Sequence, residues 1–213
     1  MDLSVKWINE MKIKRTIDAL RANNINGYLV NNTDELIEKI KEIVDENAKV
    51  SCGGSLSLYQ TGVIDHLKSG RYEFLDRCKE GLDKSEVKRI QRESFFCDAY
   101  FTSSNAITED GELYNVDGMG NRVAAMLYGP DKVIFVCGVN KIVKNLNAAI
   151  NRNKEKCGPI NAKRLNKNTP CARVGYCMDC NSNERICNEY TLIRKQRDKD
   201  RMHVIFLNEE IGY

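Results

Sequence analysis

Hydrophobic positions along this chain follow two patterns that alternate: short continuous apolar runs, and stripes repeating every three to four residues. "NGYLV" is a run of strand type, and "NNTDELIEKIKEIVDEN" after it is helical. Leu36, Ile40, Ile43 and Val44 share one side of that helix, with Asn32 and Glu35 at capping-box spacing. "AKVSCGGSLSLYQTGVIDHLKSG" reads as strand, glycine turn and helix, with Leu56, Tyr59, Val63 and Leu67 as the buried stripe. Strands are predicted at "YEFL", "AYFTSS" and "DKVIFVCGV". Helices are predicted from Asp83 to about Phe96, over "GNRVAAMLYG", and over "NKIVKNLNAAINRN" with Ile142, Leu146 and Ala149 inward. "AITEDGELYNV" is a hairpin turning at Asp110-Gly111. The opening stretch, Asp2 to Asn24, is a helix apolar on two faces. Ile13, Ile17 and Leu20 suit the protein body, and Trp7, Ile8 and Met11 suit a partner subunit, so a homo-oligomer through this helix is expected.

Strands alternating with helices imply an α/β fold with a mainly parallel sheet covered on both faces. The alternation lapses over 154–188, a loop-like stretch rich in Asn, Lys and Cys. It resumes with "EYTLIRK" and "MHVIFLN", read as strands extending the same sheet. Residues 1–213 are therefore expected to form a single domain, with 154–188 a basic, cysteine-rich insertion. Hydrophobic residues make up 42% and charged residues 30%, an ordinary globular balance. The net charge of +3 is too small to argue for nucleic acid. No apolar run approaches the roughly 20 residues that span a bilayer, and "MDLSVKWINEMKIKR" lacks a signal-peptide layout, so a cytoplasmic protein is expected.

Ligands of open α/β sheets bind beyond the carboxyl ends of the strands, and three segments arrive there. Gly53, Gly54 and Ser55 stand between a strand and a helix start, where free N–H groups favour an anion. Thr102, Ser103, Ser104 and Asn105 leave another strand with hydroxyls and an amide that can orient a small polar ligand, and Glu109 follows as a candidate base or nucleophile. Gly118 and Gly120 precede Asn121 and Arg122, whose guanidinium can fork onto a carboxylate or phosphate. Taken singly, each segment reads as well as a tight turn, a hairpin cap or a solvated carboxylate. Together they would gather on one edge around a small anionic metabolite.

Nine cysteines, an odd number, fit a disulfide framework poorly in a reducing compartment. Cys52, Cys78, Cys97 and Cys137 read as small buried hydrophobes. Cys171, Cys177, Cys180 and Cys187 are spaced C-x₅-C-x₂-C-x₆-C, and the inner pair is a metal knuckle. Four thiolates suit a tetrahedral zinc or a cubane iron–sulfur cluster, and thiols without metal are the third possibility. A single knuckle with irregular outer spacings leans toward the cluster. Around them Arg152, Lys154, Lys156, Lys163, Arg164, Lys167 and Arg173 oppose Glu155 alone, a patch that attracts anions or is simply a solvated basic loop. Cys157 stands outside the set. His66 and His203 have no spaced partner.

"SCGGSLSL", "TSSNAITEDGELYNVDGMGNRVAAM", "VIFVCGVNKIV", "INAKRLN" and the closing "HVIFLNEEIGY" resemble the LUD-domain proteins, named for lactate utilisation, over nearly the whole chain. The resemblance implies a fold related to glucosamine-phosphate deaminases, ribose-phosphate isomerases and CoA transferases, whose ligands are anionic. It points to Glu109 as the counterpart of the transferases' attacking glutamate. It also implies an association with lactate or another organic acid, with iron–sulfur electron transfer and with a redox partner protein. A non-catalytic, metabolite-binding scaffold with a structural zinc is the alternative.

Overall fold

Six parallel strands carry the core, and the reason is visible in their side chains. The structure, a computed structural model, describes residues 2–213. The strands of the main sheet are β1 (Asn26–Val30), β2 (Lys49–Cys52), β3 (Glu73–Leu75), β4 (Ala99–Thr102), β7 (Lys132–Gly138) and β10 (Met202–Leu207). They lie in the order β1-β10-β7-β4-β2-β3. In β7, Val133, Phe135 and Cys137 enter one core cluster while Ile134 and Val136 enter the other. An apolar run with both faces buried can only be a strand with cover on each side.

Helices supply that cover. On one face lie α1 (Leu3–Ala22), with Ile13, Ile17 and Leu20 inward, and α6 (Asn121–Leu127). On the other lie α2 (Thr33–Ile43), α3 (Leu56–Gln60) and α4 (Val63–Leu67). Asp83 and Glu86 form a reciprocal capping box on α5 (Lys84–Glu93). At α2 the side chain of Asn32 accepts from the Glu35 N–H at 2.9 Å, but the Glu35 carboxylate reaches Asn31 instead of Asn32.

Several expectations are corrected. The helix over 56–67 is two short pieces broken at Gly62, whose φ of +68° is left-handed. Leu58 therefore takes the inward position while Tyr59 is exposed. "NKIV" is not α-helical: a 3₁₀ turn at Val139–Lys141 leads into β8 (Ile142–Val143), which pairs in parallel with β5 (Ala106–Thr108), and α-helix begins only at α7 (Leu146–Arg152), after the Asn145 cap. "EYTLIRK" forms β9 (Glu189–Ile193), but in a second sheet of order β8-β5-β6-β9, paired antiparallel with β6 (Leu113–Asp117). The stretch 154–188 is partly helical, with a π-helical turn at Asn153–Cys157, then α8 (Gly158–Arg164) and α9 (Pro170–Val174). Cys52, Cys97 and Cys137 are buried as expected, whereas Cys78 is exposed. No helix among the described residues is long and apolar enough to cross a membrane.

Candidate functional site

Parallel pairing of β2 with β4 brings the turn after Cys52 beside the loop after Thr102. A Cβ placed on Gly53 would lie 3.1 Å from Arg122 Cδ and 3.2 Å from Tyr100 Oη, so a larger residue would press on both side chains and glycine lets these elements approach closely. Ser55 N–H closes the turn onto Gly53 O at 3.0 Å, and Gly54 faces the Arg77 guanidinium. Across the edge, Ser57 Oγ stands 3.5 Å from Ser103 Oγ. The Gly53 turn, Ser103, Asn105 and Arg122 thus share one place.

Arg122 is spent on the protein itself. Its Nε donates to Asp117 Oδ1 at 2.8 Å, Nη1 to Ser103 O and Asn115 Oδ1, and Nη2 to Asn105 Oδ1 and Val116 O. Asp117 also accepts the N–H groups of Arg122 and Val123, capping α6. The fork expected for an external anion is occupied, and Arg122 clasps β4, β6 and α6. Thr102 Oγ1 donates to Ser103 O, and Ser104 Oγ to Ala106 O and Tyr114 O, so these hydroxyls tie the hairpin down. Gly118 packs against Ile186, where a Cβ would meet the backbone at 3.2 Å. Gly120 takes a left-handed φ of +71° ahead of Asn121, the first residue of α6. Glu109 is not brought to this cluster. It lies past the far end of β5, where its N–H bonds Val143 O, and its carboxylate acts on Lys12.

Two cations that the sequence reading did not single out for this site complete it. The carbonyls of Ser103, Ser104 and Asn105 each accept from a different one: Arg122 Nη1 at 3.0 Å, Lys141 Nζ at 3.2 Å and Arg152 Nη1. Lys141 is 3% exposed. Burial lowers its pKa to about 8, helped by Arg152 and Arg122 and opposed by the thiols of Cys137 and Cys157. A lone lysine between Val139 and Ile142 was the available signal, hidden by reading the segment as an amphipathic helix.

The second cluster is the four cysteines. Cys171, Cys177, Cys180 and Cys187 all line one cavity of about 20 Å³, walled also by Asn153, Gly158, Pro159, Thr169, Arg185 and Ile186. The Asp179 N–H points to Cys177 Sγ at 3.4 Å, and the Thr169 hydroxyl lies 3.3 Å from Cys171 Sγ. Lys154 anchors the knuckle twice, accepting from the Cys177 N–H at its carbonyl and pairing with Asp179 at 2.7 Å. Burial pushes the Cys187 thiol up. As they stand, no three His, Cys, Asp or Glu side chains among the described residues form a group that could hold an ion. The π turn joins the two clusters, because Asn153 borders the cysteine cavity while Cys157 Sγ accepts from Arg152. His66 and His203 bond Tyr72 and Tyr28 instead. An open groove of about 360 Å³ between α1 and β1 is lined by none of the expected site residues.

The model of the LUD domain matches residues 13–207. The chain belongs to the LUD-domain family. The matched span runs through the cysteine segment, so the four thiols lie inside the LUD domain and not beyond it. A DUF162-family protein from Deinococcus radiodurans superposes with a TM-score of 0.52 at 16% identity, covering 93% of this LUD chain and 98% of its own, a likeness of fold. Ribose 5-phosphate isomerase A from Neisseria gonorrhoeae matches 54% of each chain at 17% identity, with a TM-score of 0.34. No curated protein matches the chain.

Proposed function

We propose that this LUD-domain protein holds a thiolate-bound metal at Cys171, Cys177, Cys180 and Cys187, beside a strand-end site that takes a small anionic metabolite such as an organic acid. The observation that carries the proposal is that four cysteines spread over 17 residues line a single cavity. The donor set fits a soft cation, and the N–H directed at Cys177 and the hydroxyl beside Cys171 are of the kind that steady thiolate ligands. Closing the set on an ion requires the thiols to move from the positions they take here. A bound iron–sulfur cluster would supply one-electron transfer; zinc would supply rigidity.

The space now left between the thiols is small. A space of roughly 10–15 Å³ is what one water-sized sphere needs. The cavity of about 20 Å³ is of that order, so a cubane would require the lobe to widen. The cluster reading draws instead on the irregular spacing and would make the chain a redox subunit. Metal analysis and visible absorbance of anaerobically purified protein separate the two. One zinc per chain and no colour favours the structural ion, and iron with sulfide and broad absorbance near 400 nm favours the cluster. Changing both Cys177→Ser and Cys180→Ser is expected to abolish the metal in either case. Full metal content in that double variant, or none in the wild type, removes the proposal.

A further inference from the structure

The segment after β10 lies across the strand-end edge and is held there by one set of hydrogen bonds. Val139 N–H donates to Glu209 O, and Ile211 N–H to Asn140 Oδ1. Asn140 Nδ2 donates to Gly212 O at 3.1 Å, and Gly212 N–H to Gln60 Oε1 at 2.7 Å. The segment ends on Lys141, whose ammonium donates to the main-chain oxygen of Tyr213 at 3.2 Å. Gly212 sits directly over the site. A Cβ there would be 2.4 Å from Ser57 Oγ and 3.4 Å from Lys141 Nζ, and its φ of +60° already favours glycine.

Beneath this strap two cations, Lys141 and Arg152, have no Asp or Glu carboxylate within ion-pair reach among the described residues, and Arg152 leaves Nη2 buried without a hydrogen-bond partner. The sole carboxylate paired with a cation of this group is Asp117, on Arg122. A buried ammonium that meets only main-chain oxygens, beside a guanidinium nitrogen with no partner, is a costly arrangement that an anion would relieve. We propose that Lys141, with Arg152 and the Ser57 and Ser103 hydroxyls, forms a binding site for a small organic carboxylate, and that the strap Glu209–Tyr213 occupies it when empty. The ligand displaces the Tyr213 oxygen from Lys141, so binding and strap release are one event. The inference rests on reading the strand-end edge as the metabolite side, and it names the residues and the competitor.

Two substitutions push in opposite directions. Lys141→Met keeps the length of the side chain and removes the charge. Gly212→Ala drives a methyl against Ser57 and weakens the strap. Titration of wild type, K141M and G212A with acetate, with lactate and with inorganic phosphate, followed by calorimetry and by hydrogen exchange of residues 208–213, reads both effects. The expected result is measurable binding by wild type with faster exchange in the strap. Affinity should drop at least tenfold in K141M and rise several-fold in G212A. Carboxylate binding that leaves strap exchange unchanged and is indifferent to both substitutions overturns the inference while the metabolite reading stands. No carboxylate binding by wild type or by G212A overturns both. Inorganic phosphate bound in preference to either carboxylate overturns the ligand class. Should K141M fail to fold, the gain expected of G212A decides alone.

Discussion

Lys141 holds its charge where water does not reach it, and that fixes how stability depends on pH. Its pKa falls from 10.5 to about 8 on folding, first through burial and then through the facing guanidiniums of Arg152 and Arg122, while the thiols of Cys137 and Cys157 act the other way. The unfolded chain therefore binds this proton more tightly than the folded one. The cost of folding with the charged lysine is full below about pH 8 and falls away as pH rises toward 10.5, so stability climbs in that window. The shift corresponds to a cost on the order of 3 kcal/mol. Urea unfolding at pH 7 and pH 10 is expected to show wild type gaining stability relative to K141M. Parallel behaviour of the two proteins would mean that Lys141 carries no such cost.

Between elements, the Arg122–Asp117 clasp does the joining. It reaches the end of β4 through Ser103, β6 through Asn115 and Val116, and α6 through the Asp117 cap. Removing one partner of a buried ion pair leaves the other charged and unpaired, which costs about 3–5 kcal/mol. Arg122→Ala is thus expected to lower the free energy of unfolding by about that amount. A loss below about 1 kcal/mol, accompanied by weaker carboxylate binding, would return Arg122 to the role of an anion fork. The element pattern itself was largely legible. Alternating runs and stripes gave the strands of the main sheet to within a residue or two, because a doubly buried strand must be apolar throughout. β8 and β9 were not legible as a second sheet. Two-residue and alternating segments carry no information about which edge they will pair with, and β9 takes its place through hydrogen bonds to β6, more than 70 residues earlier.

On the scale of the whole molecule, α1 carries apolar side chains on its outer side. Ile13, Ile17 and Leu20 of α1 are buried, while Leu3, Trp7 and Ile8 are half or more exposed, Trp7 at 60%. Exposed apolar side chains spaced along one helix are a candidate interaction surface. The expected occupant is a second copy, docking through α1. Sedimentation velocity at micromolar concentration should give a dimer for wild type and a monomer for Trp7→Glu. A wild type that sediments as a monomer leaves the patch to another partner.

The sequence by itself determined the two-sided parallel sheet, the caps at Asn32 and Asp83, the glycine turns and the four-cysteine spacing, since each depends on neighbours within a few residues. It also brought the Gly53, Ser103 and Arg122 segments to one edge, because parallel strands present their carboxyl ends together. Only the tertiary structure decided what those side chains do there. Arg122 meets Asp117, Asn115 and Asn105 before it can meet a ligand. Glu109 is carried off by its hairpin toward α1. Lys141 becomes a buried cation because a segment some 70 residues later folds over it. Partners that distant are chosen by packing, and packing leaves no local signature for a reader of the chain.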